Sequence, residues 1–388
     1  MSDLYKQRGV SADKEDVHLA IANISKGLYP NAFCKILPDY VGGDESYCNL
    51  MHADTAGTKT AIAYIYYKET GDASIWKGIV QDALVMNIDD MLCAGVDTPI
   101  VISSTIARNK NKIDAAAIAA IIQGAEEFAQ QMKTYGVELH MAGGETADVG
   151  DIVRTIDVGY TAFARLKRAD VVNPSNIKPG HVIVGLASYG QASYETAYNS
   201  GIGSNGLTSA RHDLLNKIYL EKYPECVDPN LSKDVVFNGP YQVLDTVENG
   251  MTLGKLLLSP TRTFAPVMKK IFEQYRSNIA GIIHNTGGGA SKCLHYVPNN
   301  LKIVKDNFLP APLIFRLIQK TVNTPWAEMY KVFNMGNRLE IYTDEATADG
   351  IIAIAKSFNI EAQIIGKVEA GEGKSVAMKT EFGEWEYR

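Results

Sequence analysis

The chain has 388 residues, 46% of them hydrophobic and 21% charged, with a formal net charge of −6. That length exceeds one small core and leads us to expect two domains, while the acidic balance and the lack of a long basic run exclude a nucleic-acid footprint. No apolar run reaches spanning length, which excludes a membrane role, and the five scattered cysteines (Cys34, Cys48, Cys93, Cys226, Cys293) argue against a zinc site or a disulfide framework.

In chain order, residues 1–45 read as irregular apart from a helix over 17–24. The opening MSDLYKQRGVSADKED is polar and lacks a signal-peptide core, so the expected location is the cytoplasm. NLMHA leads into the turn-like DTAGTK, AIAYIYY reads as a strand, and an acidic helix follows over 81–95. TPIVISSTIA is a strand by its β-branched content, and 113–135 is a helix by its i, i+3, i+4, i+7 rhythm, ended by Gly136. VELHMA, a loop GGETAD and the strand TIDVGYTAFARL come next; His140, inside an apolar strand, reads as structural. The charged, proline-bearing KRADVVNPSNIKPG separates domains 1–170 and 171–388. Beyond it HVIVGLAS opens a second mixed series with helices at 207–220, 264–275, 313–321, 326–333 and 346–358, and strands IAGIIH, RLEIY, EAQIIGKVE and SVAMK. The fold class is α/β (α+β), without tandem repeats.

Residues 81–95, QDALVMNIDDMLCAG, place three aspartates on a helix with no wide polar face. At about 100° per residue, Asp82 and Asp89 share a side and Asp90 lies roughly a quarter turn away. Burying unpartnered carboxylates costs several kcal/mol, so a compensating charge is expected, with magnesium the choice for oxygen ligands. Three loops each follow a short apolar strand: Asp54-Thr55-Ala56-Gly57-Thr58-Lys59, Gly143-Gly144-Glu145-Thr146 and Thr286-Gly287-Gly288-Gly289. Glycine lets backbone amides approach an anion, Lys59 adds a point charge for phosphate, and Asp54 and Glu145 are possible magnesium ligands. Gly201 to Gly206 satisfies GxGxxG but follows no strand directly, so a dinucleotide site is not expected. GTKT lacks the glycine and residue order of a Walker loop. His52 and His284 each precede a glycine-bearing loop.

Together these motifs resemble the AIR synthetase (phosphoribosylformylglycinamidine cyclo-ligase) family. The resemblance runs through Leu4-Tyr5-Lys6-Gln7-Arg8-Gly9-Val10, the Asp54 loop, the acidic helix, Gly143-Gly144-Glu145-Thr146-Ala147, Leu258-Ser259-Pro260-Thr261-Arg262, His284 to Gly289, and Glu328 to Gly336. Three departures stand out. Gly203 occupies the place of a family histidine ahead of Ser204-Asn205, the N-terminal glycine-rich loop is reduced to Pro30-Asn31-Ala32-Phe33-Cys34, and the family's Asn-Asp pair is Asp89-Asp90.

The resemblance implies two domains, with N-terminal strands closing a β-barrel in a homodimer and active sites near the interface. It implies that ATP converts the formyl amide oxygen of formylglycinamidine ribonucleotide into a phosphate ester, after which the amidine nitrogen closes the imidazole ring. Asp54, Asp90 and Glu145 would hold Mg2+, with Asp89 assisting. Gly57, Thr58, Lys59, Gly143 and Gly144 would hold ATP, and Asp90, Lys59 and His284 would serve catalysis, His284 moving a proton. Lys26, Ser204, Asn205, Gly206 and Thr286 to Gly289 would contact the small phosphorylated substrate. An ATP-dependent small-molecule kinase and a nucleotide-binding regulator without turnover are the alternative readings.

Overall fold

The computed structural model describes residues 6–10, 19–21, 23–97, 99–248 and 250–388. Residues 17, 18 and 22 of the expected helix over 17–24 fall outside them, with 19–21 helical, as do Leu4 and Tyr5 of the Leu4 to Val10 motif. The chain is a mixed α/β protein built on two main sheets. The first has the order β1-β2-β5-β3-β4, from β1 (Ile36–Pro38), β2 (Tyr47–Thr55), β3 (Ile100–Arg108), β4 (Leu139–Asp148) and β5 (Ile156–Lys167). On one face lie α1 (Lys59–Thr70), α2 (Ile75–Cys93) and α3 (Ala115–Thr134). The other face carries exposed Met51 and Val101 on either side of Phe163.

The second sheet has seven strands in the order β14-β13-β10-β12-β6-β11-β9. They are β6 (Val182–Ala187), β9 (Ile279–His284), β10 (Leu301–Lys305), β11 (Asn337–Thr343), β12 (Ala362–Ala370), β13 (Lys374–Thr380) and β14 (Gly383–Tyr387). A two-stranded ribbon, β7 (Tyr189–Gly190) with β8 (Asn199–Ser200), opens the connection between β6 and β9, which carries α4 (Leu207–Leu214), α5 (Ile218–Lys222), α6 (Leu253–Leu257) and α7 (Ala265–Tyr275). Helices α8 (Leu313–Val322), α9 (Trp326–Val332) and α10 (Glu345–Ser357) complete the chain.

Two local expectations are corrected. AIAYIYY is not a strand but the body of α1, whose residues 59–66 are all buried and which ends on left-handed Gly71. A continuous apolar run has no period to separate strand from helix, and burial on every side decided for the helix. GGETAD is not a loop but the second half of β4. Gly143 has φ 86 where the pairing with β3 shifts register, and Gly144 packs so closely on Ser104 that a Cβ would lie 2.2 Å from its carbonyl oxygen. Locally these glycines serve a bulge at Gly143 and a close strand approach at Gly144. His140 is exposed, with its Nε2 3.6 Å from Glu138.

Helix α2 is the element that positions the site. Only four of its nineteen residues escape full burial, and it packs against β2, β5, α1, α3, β9 and α7. An amphipathic stripe would be useless there, which is why the sequence shows none.

Candidate active site

The aspartates of α2 divide between two jobs. Asp82 and Asp89 do share a side, and that side is covered by 259–264. Asp82 Oδ1 accepts from Lys59 Nζ (2.8 Å), Thr261 N (2.7 Å) and Thr261 Oγ1 (2.6 Å). Asp89 accepts from Thr263 Oγ1 (2.7 Å) and Phe264 N (2.9 Å). Among the described residues Asp89 has no ion-pair partner, and burial pushes its carboxyl up to about 7, against the pull of those two hydrogen bonds. Both carboxylates anchor the C-terminal half of the chain to α2, so the expected assisting role of Asp89 at a metal is not available to it.

Asp90, a quarter turn on, faces differently. Its Oδ1 lies 2.7 Å from His284 Nδ1, at the end of β9, and its Oδ2 lies 3.4 Å from His52 Nε2 on β2. Burial works to raise its pKa, but the His284 hydrogen bond and the Lys292 charge outweigh it and hold the carboxyl below its ordinary value. Asp54 ends the same row of β2. Among the described residues its side chain accepts only from Thr55 N (2.7 Å), and burial raises its pKa, with the Asp90 charge adding to the effect. His52 is fixed by Asn87 of α2, 3.1 Å from its Nδ1.

Lys292 is the cation the sequence reading missed. It lies in the 3-10 turn (Gly289–His295) that continues the glycine loop, donates to Thr286 Oγ1, and rests 4.8 Å over the Phe33 ring. Burial lowers its pKa, while Asp90 and, more weakly, Asp54 draw it back up. The segment 30–34 thus closes over the site: Phe33 stacks on Tyr296 at 4.5 Å, and Cys34 Sγ donates to the Asp90 carbonyl (3.2 Å). Asn205 faces the glycine loop, its Nδ2 3.9 Å from the Cβ position of Gly287, and its buried Oδ1 has no hydrogen-bond partner. Ser204 Oγ is paired with Thr261 Oγ1 at 3.2 Å.

The charge expected to balance the acidic helix is therefore supplied by protein. Lys59 pairs with Asp82, Lys292 faces Asp90, and buried Arg338 lies among Asp89, Asp82 and Asp90. Part of the compensating charge expected from magnesium thus comes from these cations.

The other expected site residues are dispersed. Lys59 is fully buried and donates to Asp82, to Gly203 O (3.1 Å) and to Ser259 O (2.6 Å), so its three hydrogens are spent internally and none points to a phosphate site. Thr58 precedes α1 and its hydroxyl meets Thr208 (2.7 Å), with exposed Gly57 (φ 62) before it. Glu145 is remote from Asp54. It pairs through Thr105 and Gly159 with Thr55, so within one chain it lies three strands away, about 14 Å, and on the opposite face of the sheet. Lys26 is exposed, and the neighbour whose charge it affects is Lys374.

His284 is buried with both nitrogens engaged: Nδ1 to Asp90, Nε2 accepting from Arg338 Nε (2.9 Å). Burial first, then the Arg338 charge, lowers its pKa to about 4. It is a neutral link in a chain of hydrogen bonds, not a group free to exchange a proton near neutrality. Gly206 and Gly289 are packing glycines: a Cβ on the first would lie 2.3 Å from Phe333, and on the second 2.4 Å from the Tyr330 carbonyl. Gly287 and Gly288 remain at the open side, with Gly288 at φ 95, and Thr286 is buried behind them.

With this geometry in hand, the comparisons with known proteins are specific. Residues 38–166 match the N-terminal domain of AIR synthase related proteins, and 246–379 match their C-terminal domain. The chain belongs to the AIR synthase related family. A phosphoribosylformylglycinamidine cyclo-ligase of Methanocaldococcus jannaschii is 29% identical over 94% of this chain and 91% of its own. One from Carboxydothermus hydrogenoformans is 28% identical over 96% and 98%. The fold is similar to phosphoribosylformylglycinamidine synthase II of Thermotoga maritima (TM-score 0.54, 15% identity, 99% of this chain and 50% of that one). It is also similar to AaThiL complexed with AMPPCP and TMP (TM-score 0.54, 14% identity, 97% of each chain).

Proposed function

We propose that this protein is a phosphoribosylformylglycinamidine cyclo-ligase, using ATP to close the imidazole ring of formylglycinamidine ribonucleotide in purine biosynthesis. The observation that carries the reading is that relatives bearing this name align over nearly the whole chain, through both domains. The division at 170/171 follows from it, because each main sheet draws its strands from one side of that point.

The reaction needs a phosphoryl group held and its charge neutralised more than it needs a nucleophilic side chain. ATP would lie over the open end of β2, between Asp54, Asp90 and Lys292. Asp54 and Asp90 Oδ2 carry carboxylate oxygens with few protein donors, which fits a magnesium ion that keeps waters and shares phosphate oxygens. That ion would supply charge neutralisation. Lys292, tethered by Thr286 and Phe33, presents an ammonium to a transferring phosphoryl oxygen. Asn205, with its orphaned buried Oδ1, and Thr286 to Gly288 line the side from which the formylglycinamidine ribonucleotide would enter.

Glu145 fits the same site only as a residue from a second copy. The first sheet offers the means: β4 is an edge strand of ten residues, and the row Met51, Phe163, Val101 leaves an apolar strip on the uncovered face. We take a homodimer closing a barrel through this face as part of the reading. The deciding assay incubates the protein with formylglycinamidine ribonucleotide and Mg·ATP and measures aminoimidazole ribonucleotide alongside ADP. ADP without the imidazole rejects the cyclo-ligase reading.

A further inference from the structure

Arg338, the second residue of β11, is 1% exposed and sits against α2 at Met86, among the charges of Asp82, Asp89 and Asp90. Its Nε donates to His284 Nε2 at 2.9 Å, its Nη2 approaches Met86 Sδ at 3.9 Å, and its Nη1 has no hydrogen-bond partner among the described residues. A guanidinium has donors and no acceptor, so His284 Nε2 must accept. The ring proton is then on Nδ1, and Nδ1 must donate to Asp90. The Arg338 donor and the Asp90 carboxylate, which only accepts, ask for the same tautomer from opposite ends of the ring. The backbone takes part as well, since the Arg338 carbonyl accepts from Asn285 N (2.7 Å) and so holds the start of the glycine loop.

The same side chain explains a position in the opposite loop. Gly203 has φ 69, and a Cβ there would stand 2.0 Å from Arg338 Nη1. Lys59 Nζ grips the Gly203 carbonyl from the other side. The volume that a side chain at 203 would need is the volume the guanidinium fills.

We propose that Arg338 is a positioning residue for the reaction: it holds the His284 ring from Nε2, so that Nδ1–H stays on Asp90 Oδ1 and Oδ2 is left to the open side, and it does so from the space kept clear by Gly203. The assignment rests on reading Asp90 as a carboxylate of the reacting site. Partners that orient a ligating side chain in this way are worth about 10–100-fold.

The test uses the full chain labelled with 15N-histidine. In the wild type, His284 shows Nδ1 protonated and Nε2 bare. In Arg338→Met, Nδ1 keeps its proton, the 15N shift of Nε2 moves to that of a bare nitrogen without a donor, and kcat falls at least about tenfold, while the KM for ATP moves by less than about threefold. Arg338→Lys, which keeps a donor, restores part of both the Nε2 shift and the rate. Gly203→Ala lowers the melting temperature in the native background but does so less in Arg338→Ala. An unchanged Nε2 shift in Arg338→Met, or additive effects at 203 and 338, overturns the proposal. Should Arg338→Met fail to fold, the Arg338→Lys Nε2 shift and the 203/338 pair decide. A wild type that makes no aminoimidazole ribonucleotide rejects the cyclo-ligase reading instead, and leaves the Nε2 shift and coupling results to judge Arg338.

Discussion

Lys59→Met separates a buried tie from a phosphate ligand. The ammonium is wholly buried and makes three hydrogen bonds, to Asp82 and to the carbonyls of Gly203 and Ser259. Methionine fills similar volume and supplies none of them. Asp82 would keep Thr261 as a donor on Oδ1, but its Oδ2, already without a partner, would belong to an uncompensated buried charge. Removing one member of a buried pair costs about 3–5 kcal/mol, and two unsatisfied carbonyls add to that. Urea denaturation should therefore show a loss of about 4 kcal/mol. Lys59→Met/Asp82→Asn should regain at least half of it, because the amide oxygen still accepts from Thr261 and no charge is left stranded. A Lys59→Met protein within about 1 kcal/mol of wild type, with a KM for ATP raised tenfold or more, would refute this and return the ammonium to the phosphates.

The other carboxylates and cations give a matched set. Asp90→Asn should abolish turnover, whereas Asp89→Asn should keep kcat within a few-fold and lose only about 1–2 kcal/mol from its Thr263 and Phe264 bonds; equal rate losses in steady-state assays would deny the division of labour. Lys292→Met should weaken binding of a nonhydrolysable ATP analogue and lower kcat at least about tenfold, while Lys292→Arg should recover part of the rate; calorimetric titration giving a wild-type affinity, with an unchanged rate, would remove it from the site. His284 has its folded pKa depressed to about 4 against an ordinary 6.5, so its contribution to stability is fully present above pH 6.5 and is lost as pH falls toward 4. At about 1.4 kcal/mol per pH unit the loss is on the order of 3 kcal/mol, and a urea midpoint that stays flat across that window in wild type would contradict it. Mixing refolded Asp90→Asn with Glu145→Gln should restore a fraction of the activity that neither has alone, because heterodimers would carry one intact site; no recovery in a mixture shown by mass to contain heterodimers would deny Glu145 a role across the interface.

Most strands and helices were legible because their periods were clean: α3 kept its helical rhythm and β3 its β-branched run. The main exception has a clear cause. The body of α1 is buried on every side, and where no face is exposed the hydrophobic pattern loses the period that distinguishes one element from another; the equally buried middle of α2 was read as a helix. Strands β10 and β14 went unread for different reasons. β14 is a sheet edge with no buried residue, whereas β10 is an interior strand whose alternate residues Leu301, Ile303 and Lys305 are buried but whose five residues, two of them charged, make too short a run to signal.

The candidate site was legible in its parts and misread in its wiring. The argument that three aspartates on an apolar helix need countercharge was sound, yet electrostatics fixes only the sign of the partner. Lys59 stood in a loop motif that looked made for phosphate, and its true partner lies twenty-three residues on in sequence, one helix away in space. Lys292 and Arg338 each sit two or three residues beyond motifs that ended at glycine, Gly289 and Gly336, so reading three residues further would have put both cations beside the acidic helix. Glycine carried the same ambiguity. At Gly144, Gly206 and Gly289 it marks close packing and at Gly143 a bulge, while the space beside Gly57, Gly143, Gly287 and Gly288 is left open. A glycine signals that something comes near the backbone; whether that something is a phosphate, a neighbouring strand or, at Gly203, an arginine from the far end of the same domain is decided by contacts tens to more than a hundred residues away.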